Sequence, residues 1–294
     1  MSTDPTAIFN RLRPRLQSIG YRMLGSMAEA EDLVQDAWLR WHSTPRERID
    51  NDEAWLVSVT TRLAIDRLRA AKLQREHYIG TWLPEPVLTD APVTPEQTRE
   101  LADDVSVAFL LLLERLAPEA RAAFLLREVF DADYPEVARA IGKSEAACRQ
   151  IVHRAKARLA EQKPRFAIPA DAQHSLLRGF AQALSQGDFQ AMQGLLAENA
   201  ELIGDGGGVV PSFGKPLLGA RRIAQLFYAV RLRHGDALRI ELARLNGEWA
   251  LLRFIGGTLE SAHAIESDGQ HITRIHVQRN PAKLARLAAA LRAR

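Results

Sequence analysis

The chain has 294 residues, 47% hydrophobic and 26% charged, with a formal net charge of +3. This composition excludes an unfolded chain, and neither a membrane-length apolar run nor a signal-peptide pattern at Met1-Ser2-Thr3-Asp4-Pro5 is present. The lone Cys148 cannot close an internal disulfide, so a cytoplasmic protein is expected, and any nucleic-acid role must come from local basic faces.

Residues 8–26 carry Ile8, Leu12, Leu16, Ile19 and Met23 at helical spacing, interrupted by Pro14. Ser26 and Glu29 then form a capping-box pattern that opens a second helix. Its stripe of Leu33, Val34, Ala37, Trp38 and Trp41 can pack on the first helix as a hairpin. Asp32, Gln35, Asp36 and Leu39 fall together on another face, an acidic surface holding one aliphatic residue. Taken alone, such a face is as well explained by solvation. A polar loop at 42–50 leads to a further capping-box pattern, Asp50 with Glu53, and a long helix over 53–74. Arg62, Arg69 and Lys72 cluster on one flank of that helix, a pattern suited to tracking phosphates.

Residues 76–103 contain Pro84, Pro86, Pro92 and Pro95 and read as a linker. Within it, Trp82-Leu83-Pro84-Glu85-Pro86 is too apolar for a plain spacer and reads as a docking anchor. Helices resume at 104–163, with Pro118 at a first turn and Gly142 as a C-cap. Ser144 caps a last helix whose buried stripe is Cys148, Ile151, Val152, Ala155 and Leu159. Its other side shows Glu145, Arg149, Gln150, His153, Arg154, Lys156 and Arg158. A short helix, a Gly turn and a capped helix with a basic face make a helix-turn-helix whose second helix fits a major groove. Cys148 belongs to core packing.

Beyond 167 the texture changes. Helices are expected near 171–186, 189–196 and 220–232, around a Gly-rich stretch at Asp205-Gly206-Gly207-Gly208. Strands are expected at 237–245, 249–255, 258–266 and 271–278, separated by Asn246-Gly247, Gly256-Gly257 and Asp268-Gly269. A terminal helix should follow from Pro281, completing an α+β domain with a cone-shaped cavity. Asp205, Glu241, Glu260 and His263 are the acid–base candidates by residue type, but no spacing fixes a pair. Glu260 and His263 are expected on opposite strand faces, because three residues is an odd step.

Glu31-Asp32-Leu33-Val34-Gln35-Asp36-Ala37-Trp38-Leu39-Arg40-Trp41, followed by the helix-turn-helix, resembles the extracytoplasmic-function (ECF) RNA polymerase sigma factors over residues 8–161. The motifs at Trp82-Leu83-Pro84-Glu85-Pro86, Asp205-Gly206-Gly207-Gly208 and Asn280-Pro281-Ala282-Lys283-Leu284 resemble the subgroup with a C-terminal SnoaL-like, or NTF2-like, domain. The chain departs from that subgroup at Val209, where a Lys is usual, and at Ala282, where an acidic residue is.

The resemblance implies a multidomain chain: a region 2 module at 1–78, a Pro-rich linker at 79–103, a region 4 helix-turn-helix at 104–163 and a SnoaL-like α+β domain at 171–294. It implies that Asp32, Gln35, Asp36 and Leu39 meet the clamp of the largest subunit of core RNA polymerase. Promoter DNA would be met by Arg62, Arg69, Lys72, Ser144, Glu145, Arg149, Gln150, His153, Arg154 and Lys156. Trp82, Pro84, Asp205, Gly206, Asn280, Pro281 and Leu284 would be regulatory docking residues. No enzymatic activity, metal, cofactor or membrane is implied, and the cavity offers room for a small-molecule ligand. The rival is a one-component regulator whose ligand domain drives a helix-turn-helix without polymerase, and the acidic helix argues against it.

Overall fold

A computed structural model describes residues 4–75, 78, 80–89, 106–160 and 170–294. The chain forms two compact units, one built from residues 1–76 and 109–163, the other from 77–92, 104–108 and 164–294.

In the first unit, α1 (Pro5–Leu24), α2 (Met27–Ser43) and α3 (Asp52–Arg75) pack on one another. Their core is Phe9, Leu12, Leu16, Val34, Trp41 and Leu56, with Trp38 at 4.7 Å from the Phe9 ring. Two sequence expectations need correction. Helix α1 runs unbroken through Pro14, and the cap of α3 is Asn51, whose Oδ1 accepts from Ala54 N at 2.9 Å, in place of Asp50. The helices α4 (Val107–Leu113), α5 (Pro118–Glu128), α6 (Tyr134–Ile141) and α7 (Glu145–Ala160) follow. A full capping box of Asp133 and Glu136 starts α6, and Gly142, at φ 68°, ends it. Cys148, Val152, Ala155 and Leu159 are the buried stripe of α7, and burial pushes the Cys148 thiol up.

In the second unit, α8 (Ala170–Gln186), α9 (Phe189–Gly194) and α10 (Ala220–His234) pack on one face of a six-stranded sheet. The strands are β1 (Leu196–Asp205), β2 (Leu217–Leu218), β3 (Leu238–Leu245), β4 (Glu248–Ile255), β5 (Thr258–Ser267) and β6 (Ile272–Gln278). Their order is β2-β1-β6-β5-β4-β3, parallel only between β1 and β6. Phe180, Phe227, Leu251, Ile275 and Val277 fill the helix side, and α11 (Pro281–Arg292) covers the other through Leu284 and Leu287. Strand β1 corrects the sequence reading, which ran a helix on to residue 196 and gave no strand before 237.

Candidate functional sites

The acidic face of α2 is a surface. Asp32, Gln35 and Leu39 are exposed, with Leu39 at 58%, while Asp36 is half-buried and receives Arg67 Nη2 at 2.6 Å. Arg67 Nη1 also donates to Glu29 O at 2.8 Å, so α3 holds α2 in place at this face.

Helix α7 and its cap present Ser144, Glu145, Arg149, Gln150, His153, Arg154 and Lys156 to solvent. Ser144 Oγ accepts from Ala147 N at 3.3 Å, as an N-cap should. The Arg149 guanidinium lies 4.1 Å from the Tyr134 ring centroid and 3.5 Å from Glu145, which presets its direction. Lys156 pairs with Glu128 at 2.7 Å.

Helix α3 carries its arginines differently. Arg62 donates through Nε to Ala140 O at 3.2 Å and through Nη2 to Arg139 O, capping the C-terminal carbonyls of α6. Arg69 is paired with Glu119 of α5 and, at 3.2 Å, with Asp66. The Glu119 carboxyl is held below its usual range by the Arg69 bond. Arg121 of α5 donates to Met23 O at 2.6 Å, and Arg15 to Phe130 O at 3.1 Å. Two of the expected DNA contacts are therefore spent on the helix-turn-helix module of the same chain. The side chain of Lys72, the third, lies outside the described residues.

The three motifs of the C-terminal half converge on Asp205, which is fully buried. Its carboxylate accepts from Tyr78 Oη (2.6 Å), Leu83 N (2.9 Å), Gly207 N (2.9 Å), Gln278 Nε2 (3.3 Å) and Lys283 Nζ (2.7 Å). Burial pushes this carboxyl up, yet the Lys283 ammonium and the donors outweigh it and hold it below its usual range. Lys283 Nζ also donates to Leu83 O at 2.6 Å and sits 4.4 Å from the Trp82 ring centroid. Asn280 caps α11 through Ala282 N at 3.0 Å, just before Pro281 in its first turn, and donates to Tyr78 Oη at 3.2 Å. Pro84 is buried, and its carbonyl accepts from Gln278. A Cβ on Gly206 would meet the Val210 carbonyl and one on Gly207 the Asn280 amide, so both must be glycine. Val209 is 74% exposed, and the Asp205 bonds run through other residues.

The strand rule fails at Glu260. Arg253 pairs with Ser261 but Phe254 with Leu259, so Glu260 is the extra residue of a β-bulge. The bulge turns Glu260 to the side of His263, and both line a cavity of about 640 Å³ with Arg253, Arg279, Phe227 and Val277. Glu260 is gripped by Arg253 Nε at 2.8 Å and Arg279 Nε at 2.7 Å. Burial raises its pKa, but the two guanidinium groups and the Ser261 hydroxyl bring it down to about 2. Glu241 is outside this cavity, paired with Arg239, and Asp205 is outside it too. Among the described residues no group of three or more His, Cys, Asp or Glu could hold a metal ion.

Residues 8–74 match the sigma-70 region 2 family and residues 106–159 the sigma-70 region 4 family. The ECF RNA polymerase sigma factor SigJ of Mycobacterium tuberculosis is 38% identical over 244 residues, 82% of this chain and 78% of its own. The chain belongs to the ECF sigma factor family.

A second M. tuberculosis protein, the probable ECF sigma factor SigI, is 31% identical over 98% of both chains. The crystal structure of M. tuberculosis SigJ matches with a TM-score of 0.75 and 31% identity, covering 95% of this chain and 98% of that one. The likeness thus extends past the two sigma modules into the α+β domain. What sequence reasoning missed in this sigma factor was Tyr78, Lys283 and Gln278 around Asp205, and the pairing of Glu260 with His263. Lys283 stood inside a quoted motif and was legible there, whereas the bulge left no mark in the residue pattern.

Proposed function

We propose that this ECF sigma factor binds core RNA polymerase, reads promoter DNA and directs initiation, and that its C-terminal domain modulates that activity. The observation that carries the reading is the exposed face of Asp32, Gln35 and Leu39 on α2, joined in one chain to the exposed polar face of α7. In this reading α2 meets the polymerase clamp, with Asp36 adding its charge beside Arg67. Glu145, Arg149 and His153 of α7 face base edges, with Ser144, Gln150, Arg154 and Lys156 nearer the phosphates. Arg62, Arg69 and Lys72 of α3 contact promoter DNA once the two sigma modules separate.

Trp82, Pro84, Asp205, Gly206, Asn280, Pro281 and Leu284 form the docking surface by which the C-terminal domain holds the connector between the modules. A small molecule in the C-terminal cavity, or polymerase itself, would shift the balance between held and released connectors. The one-component regulator reading is not favoured, since such a protein has no use for the α2 face.

The experiment is a pull-down of core polymerase with Asp32→Arg and Leu39→Asp combined. Both side chains are exposed, so the helical circular dichroism should be unchanged. Losing the desolvated charged contact of Asp32 costs about 2–5 kcal/mol, and Leu39→Asp sets a charge in the apolar part of the face, enough together to abolish capture and run-off transcription. Wild-type capture by this variant would overturn the assignment of α2.

A further inference from the structure

The cavity of the C-terminal domain gathers its polar groups at one end. There Leu238 of β3 pairs with Ile255 of β4, and Gly256 N donates to Ala237 O at 2.9 Å. Arg233 and His234 finish α10 at that end, and Ser212 reaches it from the loop after β1. Arg253 stands two residues in from Ile255, and its strand partner Ser261 sets Glu260 beside it. Leu202, Leu226, Phe227, Val230 and Val277 make the rest of the wall apolar, and the volume of about 640 Å³ is in the range of ligand sites.

Glu260 is the one acidic side chain of this lining, and its acceptors are taken. It receives Arg253 Nε (2.8 Å) and Nη2 (2.6 Å), Arg279 Nε (2.7 Å) and Nη2, and Ser261 Oγ (2.7 Å). A carboxylate has about four lone-pair sites, so no further donor fits. His263 offers a ligand nothing either, with Nε2 at 2.8 Å from Ser261 Oγ and Nδ1 enclosed. What remains are donors. Arg253 Nη1 has no partner among the described residues, and it is not enclosed. The exposed Arg233 has none among them either, and Ser212 and His234 add a hydroxyl and a ring nitrogen. Asp236, the acid next to this end of α10, faces Arg231 at 3.8 Å. Three guanidinium groups therefore stand against one carboxylate that is already saturated. Burial presses on the Arg253 charge and lowers its pKa in spite of Glu260, a strain that a second anion would relieve.

We propose that this cavity binds an apolar molecule carrying one carboxylate, its frame against Leu202, Phe227 and Val277 and its charge facing Arg253 and Arg233. The strand end beside it gives such a ligand a route to the connector. Arg279 lines the cavity, while its neighbours Gln278 and Asn280 bond to Pro84 O and Tyr78 Oη. The inference deepens the modulatory reading of the C-terminal domain and rests on it only for its consequence in transcription. Binding itself is measured on the full chain without polymerase or DNA, so either can fail alone.

The test is a titration of the full-length protein with 2-naphthoate, 2-naphthol and 2-naphthylmethylamine, one apolar frame carrying an anion, a neutral hydroxyl or a cation. Charge-assisted bonds to the arginines should make the naphthoate bind about tenfold more tightly than the naphthol, with the amine weakest. Arg253→Met should remove that preference while leaving the naphthol affinity in place. Where the loss of the Glu260 partner keeps this variant from folding, Arg233→Met decides, since its side chain is exposed and only the naphthoate should weaken. Equal binding of naphthoate and naphthol, or a preference for the amine, would overturn the proposal. So would naphthoate binding that Arg233→Met leaves unchanged, or no saturable binding by any probe.

Discussion

Asp205 accepts five hydrogen bonds and is fully buried, and its counter-charge Lys283 is 13% exposed. Breaking a buried pair by removing one partner leaves an uncompensated charge, at about 3–5 kcal/mol. Asp205→Ala should therefore destabilise the C-terminal domain by that order in urea unfolding. It should also speed amide exchange at Leu83 and Val87, which the domain holds through Asp205 Oδ2 and Asn246 Oδ1. Asp205→Asn with Lys283→Met should cost less than the sum of the two singles, because each removes the other's penalty. Glu260 gives a pH signature at the same scale. Its carboxyl titrates near 4.5 in the unfolded chain and at about 2 when folded, so the unfolded chain takes up the proton first. Stability from this group is complete above the unfolded value and is lost as pH falls from about 4.5 towards 2. Glu260→Gln should flatten that part of the melting-temperature profile, and a slope unchanged from wild type would assign the acid sensitivity elsewhere.

The elements show which arrangements a sequence can reveal. Helices α2 and α7 were readable because their buried stripes and caps are local, and the four strands after 237 because Gly turns separate them. Strand β1 was not. Its run Ala197-Glu198-Asn199-Ala200-Glu201 favours helix, and only its pairing with β6 and β2 fixes it as a strand. The bulge at Glu260 is likewise a tertiary choice, and it undid the reasoning that kept Glu260 and His263 apart. Arg62 and Arg69 were read from their charge, but what they touch is set by α5 and α6, elements some fifty or more positions away. The energies here are unequal. Arg69 is 56% exposed, so solvent screens its bond to Glu119, and Glu119→Ala should raise opening of the two sigma modules only slightly. Adding Arg62→Ala, which uncaps α6, should increase the distance between fluorophores on α3 and α7 further. In the recognition helix, Arg149→Ala should cost about 1–3 kcal/mol at one promoter position. Lys156→Ala should weaken all sequences alike and lower the salt slope.

For the whole molecule the consequence is one of tether length. Of the connector between α3 and α4, Tyr78, Leu83, Val87 and Thr89 are held by the C-terminal domain, and a held segment cannot lengthen the span between the sigma modules. Truncation after Arg279 removes Asn280 and Lys283 together and should free that segment. Transcription from a fixed promoter should change with the truncation, and Trp82→Ala should combine with it non-additively because both act through the Lys283 contact. Strictly additive effects would make the C-terminal domain a passenger.

The held segment also does something for the sheet it rests on. Strand β3 is the last in its sheet, and Leu88 bridges Leu245 while Thr89 N donates to Arg244 O at 2.9 Å and Asn246 N to Val87 O at 2.8 Å. The connector thus caps one end of a strand edge that is otherwise open among the described residues. Releasing it would bare backbone donors and acceptors that any extended chain can use, a second copy of this protein included. Release should therefore carry a solubility cost. The truncated protein is expected to sediment with a concentration-dependent increase in mass that the full chain does not show, and replacing Arg244→Pro at that edge should suppress it.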